Sequence, residues 1–157
     1  MPDFIDELDQ VPWFAHLFEP TDESGINTLP DWDAWPGPTD PRVEEIHFRQ
    51  QEAHDALLAA SERPEELKAH FDQVHARVIE LTRSKVPFDE KADSWHAPTM
   101  AVWHAAWTAG LMALYEYCRR APDPEIEAQW RWFVQGRWPA CAVTIDTTGA
   151  LRDFIVM

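Results

Sequence analysis

A run of 19 residues without Asp, Glu, Lys or Arg, residues 97–115, most constrains how this chain can fold. The run has about the length of a bilayer-spanning helix. However, it contains Pro98, His104 and Gly110, and its tryptophans lie mid-run rather than at the ends, where membrane interfaces place them. A helix that is apolar on nearly every side also occurs at the centre of a soluble bundle. We therefore predict a buried central helix that begins at Pro98 and ends near residues 119–120.

Three further segments have the apolar periodicity of amphipathic helices. The first, near 42–61, follows Asp40-Pro41, an N-cap residue and a proline at the first helical position. The second begins at Pro64, and the last follows Asp123 and ends at Gly136. The predicted apolar stripes are Val43, Ile46, Ala53, Leu57 and Ala60; Leu67, Phe71, Val74, Val78 and Leu81; and Ile126, Trp130, Phe133 and Val134.

The two ends of the chain differ from this helical middle. Residues 1–41 contain seven prolines, which exclude a long helix, although a short one around Asp3–Asp9 fits. Residues 138–157 contain two apolar or β-branched runs separated by Asp146–Gly149, which indicates a hairpin. We predict a mainly α single domain over 1–157, with an irregular arm (1–41) packed on the body, a four-helix bundle-like body (42–137) and a C-terminal β-hairpin (138–157).

The charge of the chain is unevenly distributed. Twelve of the first 45 residues are Asp or Glu and only Arg42 is basic, so about −11 of the net charge of −15 lies in this third. Such a field repels nucleic acid and anionic membranes and attracts a basic protein. With no signal peptide visible and only two cysteines, a cytoplasmic location is expected. The predicted partner-binding residues are Asp22, Glu23, Asp31, Trp32, Asp33 and Trp35.

No catalytic motif is visible. None of the four serines lies in a nucleophile elbow, and none of the five glycines lies in a phosphate-binding loop. Cys118 adjoins two arginines that would favour a thiolate, but it lies at a predicted helix C-terminus, whose dipole opposes the anion. We therefore assign no catalytic residue and no cofactor, and we favour a non-enzymatic protein while leaving enzymatic activity open.

The histidines provide the alternative. Glu44-x-x-His47 places a carboxylate and an imidazole on one helical face, His54 lies two turns further on, and Asp72-x-x-His75 repeats the spacing. Paired Glu-x-x-His motifs hold metals in di-iron bundles, although two further carboxylates are missing here. These residues define the alternative, a small helical metal-binding protein or enzyme. The simpler explanation is that they flank the apolar stripes and are partly solvated.

Other polar and aromatic residues leave questions open. His104, Thr108 and Tyr115 follow one strip of the central helix and predict either a buried hydrogen-bonded network or a pocket. Trp130 and Trp132 point to different sides of one helix, so either the arm covers one of them or one remains exposed as a contact anchor. The apolar ending, residues 154–157, also permits a homodimer through an edge strand.

The sequence thus favours a non-enzymatic acidic binding protein that docks a basic protein partner. Opposite electrostatic fields speed such encounters, and aromatic anchors supply the desolvated contact. Neutralisers of the immunity or antitoxin type are small, acidic proteins of this kind, although the comparison is an analogy from charge and size alone. Solubility is the simplest other reason for a strongly acidic chain.

Overall fold

The computed structural model describes residues 3–13, 41–83, 97–137, 139–145 and 151–156, with side chains for 3–13, 47–83 and 102–137. This part is mainly helical, as predicted. The helices are α1 (Phe4–Leu8), α2 (Pro41–Ala59), α3 (Pro64–Arg83), α4 (Ala97–Tyr117) and α5 (Pro124–Val134). The backbones of β1 (Pro139–Ile145) and β2 (Leu151–Val156) pair antiparallel. The packing of the predicted hairpin on the helices stays a prediction, because no side chain beyond residue 137 is described.

The helix boundaries follow from capping chemistry. The Asp123 carboxylate accepts a hydrogen bond from the Glu125 N–H at 2.9 Å, which confirms Asp123 as the N-cap of α5. Gly136, at φ 78°, lies beyond the C-terminal end of α5 in the left-handed region that glycine tolerates. Helix α4 ends at Tyr117, two residues before the predicted end, and Arg119 takes a left-handed φ of 53°.

The charge-free run is the buried centre of the fold. Its inward positions are at most 1% exposed: Val102, Ala105, Ala106, Ala109, Leu111, Ala113 and Leu114. None of the described helices combines the length and apolarity that crossing a bilayer requires. Gly110 brings α4 close to α3, because a Cβ at this position would lie 2.5 Å from Cε2 of Phe71. The prediction of a buried central helix is confirmed.

The apolar stripes of the surrounding helices are confirmed in part, and the side chains of Val43 and Ile46 of α2 lie outside the described residues. Leu67, Phe71, Val74 and Val78 of α3 are buried, but Leu81 is half-buried and the next residue, Thr82, is buried in its place. The Thr82 hydroxyl donates to the Val78 carbonyl at 2.8 Å, so burial leaves this polar group satisfied.

In α2 and α5 the stripes include polar residues that periodicity did not predict. Leu57 of α2 is buried as predicted, whereas Ala60 is exposed and Gln50 is fully buried. In α5, Gln129 is buried between Ile126 and Phe133, while Trp130 and Val134 are half-buried.

Residues 3–13 pack against the helical body. Leu8, Val11 and Trp13 are buried, and the Trp13 Nε1–H donates to the Leu8 carbonyl at 3.1 Å. The ring centroids of Phe4 and Trp13 lie 5.6 Å and 6.3 Å from that of Trp130. The first part of the arm therefore covers one of the two tryptophans of α5. The packing of the whole arm stays a prediction, because 14–40 lie outside the described residues.

Candidate functional site

Aromatic and imidazole rings from three helices surround Trp107 of α4. Its ring centroid lies 5.7 Å from His47 and 5.5 Å from His54, both on α2. On the other side it lies 4.9 Å from Phe71 and 6.3 Å from His75, both on α3. The interplanar angles are 62–86°, the edge-to-face geometry that aromatic rings favour.

Helical spacing explains this gathering of rings. Residues three, four or seven positions apart lie on one side of a helix, as do His47 and His54 on α2 and Trp103 and Trp107 on α4. Because α2 and α3 both pack on α4, these sides meet at Trp107. The prediction that these histidines flank the apolar stripes and are partly exposed is confirmed for His47, His54 and His75, which are all half-buried.

The structure brings His47, His54 and His75 together, but not as a set of metal ligands. Among the described residues, no three or more His, Cys, Asp or Glu side chains are placed to hold a metal ion. The Nδ1 atom of His54 instead lies 3.1 Å from Oδ1 of its neighbour Asp55. The Glu44 side chain lies outside the described part, so its place in the predicted set stays untested.

His104 is the most deeply buried imidazole of the described residues. It is 6% exposed, and its ring stacks on His47 with centroids 6.2 Å apart. Burial, and secondarily the neighbouring His47, lowers the pKa of His104 from 6.5 to about 4. Its Nδ1 atom has no hydrogen-bond partner among the described residues. The ring is therefore neutral at pH 7.

The predicted His104–Thr108–Tyr115 strip divides into separate environments. The Gln50 amide Nε2 donates to Thr108 Oγ1 and to Gln129 Oε1, both at 2.8 Å. This buried network ties α2 to α4 and α5, whereas Nδ1 of His104 has no hydrogen-bond partner within the described part. Sequence reasoning missed Gln50 and Gln129. Their positions on the inward sides of amphipathic helices were the signal that could have revealed them.

His75 combines partial burial with an exposed neighbour. Burial lowers the pKa of His75, and the nearby Asp72 carboxylate opposes the shift without cancelling it. The His75 ring lies 5.0 Å from that of Trp103, which is 43% exposed. This imidazole is therefore mostly neutral at pH 7 and adjoins an indole that is open to solvent.

A separate shallow cleft of about 330 Å³ lies where the α2–α3 turn meets the end of α4. Its lining includes Ser61, Arg63, Tyr117, Cys118 and Arg120. Cys118 is a free, half-buried thiol. We assign no chemistry to this cleft.

The six predicted partner-binding residues, positions 22–35, lie outside the described residues. Within the described part, one carboxylate of the acidic N-terminal third is neutralised internally, because Asp9 pairs with Arg77 at 2.7 Å. Asp3, Asp6 and Glu7 are exposed. Comparison with protein-family models, curated proteins and solved structures finds no match to this chain.

Proposed function

We propose that this protein is a non-enzymatic acidic binding protein whose N-terminal third docks a basic protein partner. The observation that carries the proposal is the clustering of charge. Residues 14–40 contain six Asp or Glu and no Lys or Arg. A field of one sign raises the rate of encounter with an oppositely charged surface, and tryptophans among the acids provide anchors.

The use of basic side chains within the body supports the proposal. The described side chains include fifteen Asp or Glu and only nine Lys or Arg. Five of the bases form ion pairs with the chain's own carboxylates: Arg49–Glu125, Arg63–Glu66, Lys68–Asp72, Arg77–Asp9 and Arg131–Glu127. Pairs on an exposed surface contribute little to stability. Four of these five bases are paired with carboxylates of the helical body, and Arg77 alone among them neutralises a carboxylate of the acidic third, Asp9.

The finer architecture belongs to the same proposal. In it, the arm over 1–41 presents Asp22, Glu23, Asp31, Trp32, Asp33 and Trp35 outward, the bundle supports the arm, and the C-terminal hairpin packs on the bundle. The proposal includes a cytoplasmic location and a role in neutralising the basic partner, as immunity proteins and antitoxins do. A homodimer through residues 154–157 is compatible with it.

The test uses paired charge-reversal variants. We would capture partners from a lysate of the native host with the wild type and with Asp31→Lys/Asp33→Lys, and identify retained proteins by mass spectrometry. The matched control, Glu52→Lys/Glu116→Lys, changes the net charge equally at exposed helical sites. A basic protein that is lost only with the arm variant supports the proposal. The proposal fails if no basic protein is retained, or if both variants retain the same proteins.

A second candidate function, metal binding, is favoured by one observation. The half-buried His47 ring stacks on the buried His104 ring, and Nδ1 of His104 has no partner within the described part. Neutral imidazole is a ligand for transition metals, and Glu44 lies one turn before His47. Metal analysis of protein purified without an affinity tag tests it. A stoichiometric transition metal that disappears with His47→Gln supports metal binding, and metal-free protein excludes it.

A further inference from the structure

Trp103 departs from the burial of the helix that carries it. Its neighbours Val102, Ala105 and Ala106 are completely buried, yet the Trp103 side chain is 43% exposed. One side of the indole is held by His75, whose ring lies 5.0 Å away at an angle of 52°. The tryptophan is therefore positioned by packing while much of its surface faces solvent, as in a contact anchor.

The exposed indole continues into the ring cluster around Trp107. We call Trp103, Trp107, His47, His54 and His75 the imidazole–indole face. His75 is in ring contact with both tryptophans, and Trp107 links it to the two histidines of α2. All five side chains are exposed or half-buried. Three helices therefore contribute to one connected set of rings, in which Trp103 is exposed and the other four rings are half-buried.

The charges around this surface favour a cation over an anion. The face itself contains no Lys or Arg. Asp55, 78% exposed, lies beside His54, and Asp72 lies one turn before His75 on α3. Lys68 bonds Asp72 at 3.3 Å, so Asp55 is the freer of the two carboxylates. The net charge of −15 adds long-range attraction for a cation.

We propose that the imidazole–indole face receives an arginine side chain of the basic partner, with the guanidinium stacked on Trp103. This inference rests on the proposed function and adds an anchor site within the helical body. Indole gives the most favourable cation–π contact of the aromatic side chains, and arginine stacks on it more readily than lysine. The neutral imidazole of His75 borders the indole without repelling a cation.

The experiment uses a defined probe, an eight-residue peptide of alternating Arg and Gly, and its Lys counterpart of equal charge. Binding is measured by calorimetry at low salt, and the contacted indole is identified from tryptophan side-chain N–H signals in NMR spectra. We expect the Trp103 signal to shift most with the Arg peptide. Trp103→Ala should weaken Arg-peptide binding about fivefold or more and abolish the preference for Arg over Lys.

Tyr117→Ala is the matched control, since Tyr117 is an aromatic residue of the same helix and is 51% exposed. This variant should bind both peptides as the wild type does. Trp103 lies on the surface, so its removal should leave the fold intact, which circular dichroism would verify. Equal loss of binding in Trp103→Ala and Tyr117→Ala overturns the inference.

The remaining outcomes separate this inference from the proposed function. If Asp31→Lys/Asp33→Lys loses the Arg peptide and Trp103→Ala retains it unchanged, the anchor site is wrong while the acidic arm stands. If the wild type binds neither peptide and no basic protein, both fail. A dimer that dissociates on Trp103→Ala would show that a second copy occupies the face, which also overturns the inference.

Discussion

Acidification should destabilise this protein through His104. The pKa of His104 is lowered from 6.5 to about 4 in the folded state, chiefly by burial. Between these values the unfolded chain binds the proton and the folded chain does not, so stability is complete above pH 6.5 and is lost as the pH falls. The linkage relation gives a loss of about 2 kcal/mol at pH 5 and about 3 kcal/mol at pH 4.

Urea unfolding at pH 7 and pH 5, followed by tryptophan fluorescence, measures this loss. Exposed carboxylates titrate in every variant, so the informative quantity is the difference between two pH dependences. Relative to the wild type, His104→Gln should reduce the loss of stability between pH 7 and pH 5 by about 2 kcal/mol. A direct NMR titration of His104 gives the pKa even if His104→Gln folds poorly. An unchanged pH dependence in His104→Gln, or a measured pKa near 6.5, would refute the reasoning.

Three substitutions test the packing, each by urea unfolding monitored by circular dichroism. Gly110→Ala should lower the free energy of unfolding by about 1–3 kcal/mol, because its Cβ would lie 2.5 Å from Cε2 of Phe71. Adding Phe71→Leu should restore part of the lost stability. A Gly110→Ala variant that is more stable than the wild type would contradict the contact. Gln50→Met should lower the free energy of unfolding by about 1–3 kcal/mol, because Gln129 loses its amide donor. The double variant Gln50→Met/Gln129→Met should lose less stability than the sum of the two single variants, and simple additivity would exclude the network. Trp13→Ala should cost about 3–5 kcal/mol, because this indole is buried at 2% exposure, and a loss below about 1 kcal/mol would show that residues 3–13 do not pack on the body.

Much of the helical body could be predicted because its signals are local. Asp123-Pro124 and Gly136 mark the ends of α5 through capping and a left-handed φ, and both were found where the sequence placed them. The absence of charged residues over 97–115 indicated that α4 is the buried centre. A helix that is apolar on nearly every side must be covered by other helices. Apolar periodicity was sufficient to predict that the amphipathic helices around α4 exist.

The contents of the interior were not predictable in the same way. Gln50 and Gln129 are separated by 79 positions, and the hydrogen bond between them forms only on folding. The local sequence therefore gives the inward position of each residue but not the partner with which it is buried. The spacing of the histidines predicted that they flank the apolar stripes and left a metal set as the alternative, but their grouping around Trp107 depends on how α2 and α3 lie on α4. Thr82 is buried where Leu81 was predicted, because its hydroxyl donates a hydrogen bond within its own helix and can be buried at little cost in free energy.

The central claim is that clustered carboxylates of the N-terminal third dock a basic partner. The most direct measurement is the dissociation constant of the captured basic protein with Asp31→Lys/Asp33→Lys and with Glu52→Lys/Glu116→Lys, at low and high salt. The account predicts that the arm variant weakens binding at least about tenfold at low salt, that the control changes it far less, and that high salt narrows the difference. Equal weakening by both variants would show that only total charge matters and would contradict the claim.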